Sequence, residues 1–96
     1  MSLLLACGGT GIGPDNLTPE ESLKVITTRL HGLETQVLIV GLKNTKYAGL
    51  SRGVIGFSSR EPGGTLVVNA PSSSGGMRDT LGVILELWPK LYWWID

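Results

Sequence analysis

Residues 3–11 read Leu-Leu-Leu-Ala-Cys-Gly-Gly-Thr-Gly, an apolar run that passes without a break into glycines. Shortly after stands Thr18-Pro19-Glu20-Glu21, which has the grammar of a helix start. Thr18 is placed to cap, Pro19 suits the first helical position, and Glu21 stands where a capping box wants an acid. A strand, a glycine-dense turn and a capped helix thus follow one another, an arrangement that usually holds a phosphate. The continuous apolar pattern of Leu3 to Cys7 predicts a strand covered on both faces, hence a middle strand of its sheet.

The helix opened at Thr18 is expected to run to about Leu30. Leu23, Ile26 and Leu30 share one face, Glu20 and Lys24 form an i, i+4 pair on the other, and His31-Gly32 ends it. Gln36 to Leu42 is apolar enough for a strand and too short to establish a helical period, so it stays ambiguous. Gly41 to Tyr47 reads as a polar connection. Ala48 to Phe57 and Thr65 to Pro71 read as strands, joined by the turn-rich Ser58 to Gly64 into a hairpin or near-hairpin. A second small-residue loop, Pro71 to Gly76, leads into a helix with Met77, Leu81, Ile84, Leu85 and Trp88 at core-face spacing. Pro89 marks that helix's end or a kink, and Leu91 to Ile95 forms an apolar aromatic tail.

With 96 residues the chain makes one domain, spanning 1–96. Lys and Arg together number 8, as do Asp and Glu, so the formal net charge is zero. That balance argues against nucleic-acid binding and against a polybasic membrane anchor. A single cysteine excludes an internal disulfide and suits a reducing cytoplasm. No apolar run is long enough for a transmembrane helix.

Both loops sit between a strand and a helix N-terminus, where unpaired amides and the helix dipole favour an anion. In the first, Gly8, Gly9 and Gly11 let backbone approach a ligand closely, and Thr10 adds a hydroxyl. In the second, Ser72, Ser73 and Ser74 add hydroxyls, while Gly75 and Gly76 keep the approach open. Either loop alone is equally well explained as a structural turn. Two of them in one short domain point to a phosphorylated ligand at the carboxyl ends of the strands. Neither has the Walker or the dinucleotide-binding spacing. Ser51-Arg52 either offers the ligand a hydroxyl and a cation, or Arg52 braces a carboxylate. His31 reads as a helix-end residue, Cys7 as a small hydrophobe packed beside the loop, and Trp93-Trp94 as an interface or core anchor.

Four motifs stand in register along nearly the whole chain: Gly8 to Gly11 (GGTG), Thr18 to Glu20 (TPE), Leu50 to Gly53 (LSRG) and Asn69 to Gly76 (NAPSSSGG). Together they resemble the molybdopterin-binding family of molybdenum cofactor biosynthesis, of MogA/MoaB and gephyrin G-domain type. The resemblance implies a three-layer α/β sandwich that binds the pterin dithiolene and its phosphate at Gly8–Gly11, Ser51-Arg52, and the loop holding Pro71, Ser72, Ser73, Gly75 and Gly76. Active members transfer an adenylyl group from ATP to that phosphate with Mg2+. Members form trimers or hexamers and hand their product to a molybdenum-insertion protein. The pyrophosphatase domains related to competence-damage proteins share the fold, but their loop reads GGLGP, unlike the GGTG and TPE here.

The resemblance covers the carboxyl-terminal two-thirds of the family domain, which implies an amino-terminally truncated domain. The family loop reads Pro-Arg-Asp before Val-Thr-Pro, whereas this chain has Pro14-Asp15-Asn16-Leu17-Thr18. Asn16 thus holds the place of the usual catalytic acid, and Asp15 is the carboxylate left to meet a metal. The family's Pro-Gly-Ser is here Pro71-Ser72-Ser73. The resemblance leaves two roles open for this chain: an adenylyltransferase, or a catalytically silent relative acting as an assembly or scaffold subunit.

Overall fold

The computed structural model describes residues 2–95, with side chains described through Tyr92. In chain order the elements are β1 (Ser2–Cys7), α1 (Thr18–Leu23), β2 (Thr28–Arg29), α2 (His31–Asn44), a 3-10 turn (Lys46–Leu50), β3 (Ile55–Phe57), β4 (Thr65–Ala70) and α3 (Ser74–Ile95). The strands form one mixed sheet in the order β1-β4-β3-β2. β1 runs parallel to β4, with Ser2 opposite Thr65 and Cys7 opposite Ala70. The β3–β4 and β2–β3 pairs are antiparallel. The hairpin expected across Ser58–Gly64 is present.

β4 sits inside the sheet, with Leu66, Val67, Val68, Asn69 and Ala70 all buried. Residues of alternating parity therefore face two covered sides. On one, Leu66 and Val68 join Ile55, Phe57, Leu33, Val83 and Ile84 in the core under α2 and α3. On the other, Asn69 donates from Nδ2 to Ser22 Oγ of α1 at 2.7 Å. A side chain at Gly56 would run into Ile26 on that same side. Helices thus cover both faces, which makes the three-layer sandwich.

β1 corrects the expectation for Leu3 to Cys7. Among the described residues it pairs with β4 alone, at the end of the sheet, and Leu4 is 51% exposed. Leu5 alone of its leucines packs against the core. An apolar run records what the side chains need, not the position the strand takes in the sheet. Cys7, expected to pack, is exposed.

α1 is shorter than its period implied. It stops at Leu23 because Val25-Ile26-Thr27-Thr28 is a run of β-branched residues, stiff at χ1 and better suited to extended backbone. Thr27 already bonds outward to the sheet, its amide donating to Phe57 O at 2.9 Å. Thr18 is the first helical residue rather than the cap, and Leu17, the N-cap, supplies no side-chain bond. The Glu20–Lys24 pair does not form: Lys24 meets Glu21 at 3.1 Å, and Glu20 turns elsewhere.

His31-Gly32 begins α2 instead of ending α1, and the ambiguous Gln36–Leu42 is helix throughout. The polar connection shrinks to Thr45, whose Oγ1 accepts from the Tyr47 amide to start the 3-10 turn. That turn takes the first residues of the expected Ala48–Phe57 strand, leaving Ile55–Phe57 as β3. In α3 the buried stripe is Thr80, Val83, Ile84, Leu87, Trp88 and Leu91, rotated from the expected one so that Leu85 is 62% exposed. α3 continues through Pro89. The side chains of Trp93 and Trp94 lie outside the described residues.

Candidate functional site

The first loop is a turn braced from within. Gly8 and Gly9 take positive φ, 91° and 67°, a region open to glycine. A side chain at Gly9 would also collide with the Thr18 hydroxyl. The Gly8 amide extends the ladder by donating to Ala70 O at 2.8 Å, and Gly9 O accepts from Thr18 N. Thr10 is buried, with its hydroxyl 3.2 Å from that of Ser51. Among the described residues, the Gly9 and Thr10 amides engage no partner.

Arg52 closes this turn. Its Nε donates to Gly11 O at 2.8 Å, and Nη2 donates to Asn16 O at 2.5 Å. Nη1 and Nη2 reach the two Glu20 oxygens at 2.7 and 3.2 Å, while the Arg52 amide donates to Thr10 O. Of its two sequence readings, the brace is the one the geometry shows. The hydrogen bond from Arg52 holds the Glu20 carboxyl below its ordinary value, and the same bond raises the guanidinium. Asn16 is also turned inward, its Oδ1 accepting from Gly11 N at 3.3 Å. Asp15 is exposed.

In front of this brace opens a cavity of about 950 Å3 between α2, the 3-10 turn, residues 51–53 and the start of α3. Of the residues singled out from sequence, Ser51, Arg52, Pro71, Ser73, Gly75 and Gly76 line it. Gly8, Gly9, Thr10, Gly11, Asp15, Asn16 and Ser72 do not. The first loop touches the wall from behind, through the Thr10 hydroxyl on that of Ser51.

Ser73 caps α3: its Oγ accepts from the Gly76 amide at 3.0 Å, and its carbonyl accepts from Met77 N. The hydroxyl proton is left free to donate. Gly76 is required here, since a Cβ would lie 2.8 Å from the Pro71 ring. Gly75 faces open space. Because Ser73 is the cap, the helix begins inside the loop read from sequence, and the amides of Ser74 and Gly75 head it without intrahelical partners.

Three groups at the site escaped the sequence reading. Glu34 accepts from Arg29 Nε and Nη2 at 2.8 and 3.1 Å, and also from the Ile55 amide at 2.9 Å. The bond to Glu34 raises the Arg29 guanidinium. Asn44, ending α2, donates to both Asp79 oxygens at 3.0 and 3.1 Å and so ties α2 to α3. Asn69 accepts from the Val54 amide at 3.1 Å and fixes residues 51–54 against β4. Glu34 and Asn44 gave no signal because 31–44 lacks a clear helical period; Asn69 opens the NAPSSSGG motif, but its bracing role depends on Val54 and Ser22.

A family model described as a probable molybdopterin binding domain matches residues 2–90. The molybdenum cofactor synthesis protein cinnamon of Drosophila melanogaster is 32% identical over 93% of this chain, which covers 14% of that protein. A solved structure titled as a putative molybdenum cofactor biosynthesis protein from Corynebacterium diphtheriae superposes at a TM-score of 0.88 with 45% identity. It covers 98% of this chain and 57% of its own. The molybdopterin biosynthesis Mog protein from Mycobacterium ulcerans gives 0.89 with 35% identity, over 100% of this chain and 60% of its own. The chain therefore spans about three-fifths of these solved relatives and a small part of the curated one.

Proposed function

This chain belongs to the molybdopterin-binding domain family of molybdenum cofactor biosynthesis, and from that premise we propose that its cavity holds molybdopterin. The supporting observation is a cavity of about 950 Å3 that ends on the Ser73-capped start of α3. Pockets for ligands of this size run to roughly 300–1,000 Å3. In this reading the phosphate takes the Ser73 hydroxyl and the Ser74 and Gly75 amides. The pterin lies toward Val37, Leu38, Tyr47 and Ala48, which supply apolar wall. The first loop, braced by Arg52, fixes Ser51 from behind and does not itself hold ligand.

The family resemblance also implies adenylyl transfer from ATP with Mg2+. The residues described here do not fit a metal-holding role. Asn16 spends its oxygen on Gly11 N, and Asp15 lies off the cavity. We therefore derive no transfer step through a metal, and the proposed role of this chain is to bind and orient the phosphorylated pterin. Titration calorimetry or pterin fluorescence with molybdopterin tests it: micromolar binding is expected, and no binding would overturn it.

A second reading, assembly or scaffolding, is favoured by one observation: the edge of β1, unpaired among the described residues, with Leu3 and Leu4 exposed. It goes with a homo-oligomer, trimer or hexamer, in the cytoplasm, serving a downstream molybdenum-insertion protein. Among the described residues no helix is long and apolar enough to cross a membrane. A strictly monomeric chain in analytical ultracentrifugation would count against this reading.

A further inference from the structure

Three arginines line the cavity, and the fold uses two of them internally. Arg29 is forked onto Glu34, and Arg52 onto Glu20 and two loop carbonyls. The third, Arg78, has no hydrogen-bond or ion-pair partner among the described residues. Its neighbour Asp79 is occupied by Asn44.

Arg78 lies in the second turn of α3 and is exposed. No acid stands one turn away on its helix face: four residues before it is Ser74 and four after it Gly82. Helical side chains lean toward the N-terminus, so Arg78 covers the turn that holds Ser74 and Gly75. Gly75 leaves that turn without a side chain, and nothing would lie within 4 Å of a Cβ there. The open space, the unpaired guanidinium and the cavity wall coincide.

We propose that Arg78 is the residue that selects the phosphorylated form of the ligand. This rests on the pterin reading above and assigns the cation that reading lacks. A planar guanidinium adds forked, charge-assisted donors to phosphate oxygens.

The test compares a phosphorylated pterin with its dephosphorylated counterpart, both titrated by fluorescence against wild type, Arg78→Ala, Arg78→Lys and Arg60→Ala. Arg60→Ala, on the β3–β4 hairpin, changes net charge equally and lies off the cavity. Arg78→Ala is expected to weaken the phosphorylated ligand by about 10- to 100-fold and the dephosphorylated one by less than about twofold. Arg78→Lys restores part of the loss, and Arg60→Ala leaves both affinities unchanged. Equal losses for the two ligands, or no loss, in a variant with wild-type circular dichroism overturn the assignment while leaving pterin binding standing. A wild-type chain that binds neither ligand removes the pterin reading and this inference with it.

Discussion

Asn69→Ala is the substitution whose cost follows most directly from the structure. Asn69 is 4% exposed, and its side chain serves two buried groups on different elements. Oδ1 accepts from the Val54 amide at 3.1 Å, and Nδ2 donates to Ser22 Oγ at 2.7 Å. Truncation leaves the Val54 N–H buried without a partner, at about 1–3 kcal/mol, and removes roughly one further kcal/mol with the Ser22 bond. A total of about 2–4 kcal/mol corresponds to a melting temperature lower by roughly 10–25 °C in a domain of this size. Urea unfolding followed by circular dichroism should show the midpoint falling with the slope unchanged. Ser22→Ala alone should cost about 1 kcal/mol, and the double variant should fall short of the sum by about 1 kcal/mol, because one bond is counted twice. A loss below about 0.5 kcal/mol for Asn69→Ala, or strict additivity, would refute the claim that this side chain joins α1 to residues 51–54.

Other outcomes are as specific. The Glu20 carboxyl sits below its ordinary value of 4.5 because Arg52 donates to it, so its contribution is present above that value and is lost as pH falls through the lowered one. Protection from hydrogen exchange at Gly11 and Asn16, relative to the intrinsic rate at each pH, should therefore fall on acidification below pH 4.5 in the wild type, and Glu20→Gln should abolish that dependence. Gly9→Ala, at positive φ and against Thr18, should destabilise by about 1–3 kcal/mol in thermal melts. Gly75→Ala, facing open space in a helix, should leave stability equal or higher by up to about 1 kcal/mol and yet weaken phosphorylated pterin. Leu4→Lys on the edge strand should lower any self-association seen by sedimentation without changing the melt; an unchanged association constant would remove β1 from the interface.

The features legible in the sequence are those set by neighbouring residues. The glycine turn after Leu3–Cys7, the Pro19 helix start, the β3–β4 hairpin and the loop-to-helix step at Pro71–Gly76 all depend on local backbone demands. What escaped detection depends on partners far along the chain. Glu20 had Lys24 in helical reach and chose Arg52, 32 residues away, because α1 and residues 51–53 converge on the same loop. Residues 31–44 carry apolar side chains on more than one face of α2, which erased the period that would have announced a helix. The Val25–Thr28 run was readable as a helix stop and outweighs the apolar spacing across it. The site was half legible. Its glycines and serines stood in motifs, whereas the bracing of the first loop by Arg52 needed the positions of Glu20, Asn16 and Gly11.

The parallel pairing of β1 with β4 carries a consequence for synthesis. Ser2 and Thr65 are 63 residues apart. At about 5–20 residues per second, β1 leaves the ribosome some seconds before the strand that will hold it. The hairpin of β3 and β4 closes locally, but β1 must wait for a long loop to be brought together before its bonds form. During that interval Leu3, Leu4 and Leu5 are a ready grip for a chaperone or for another nascent copy. The glycine turn, which hangs from the end of β1, is set only once β1 has met β4, since the Gly8 amide bonds Ala70 O.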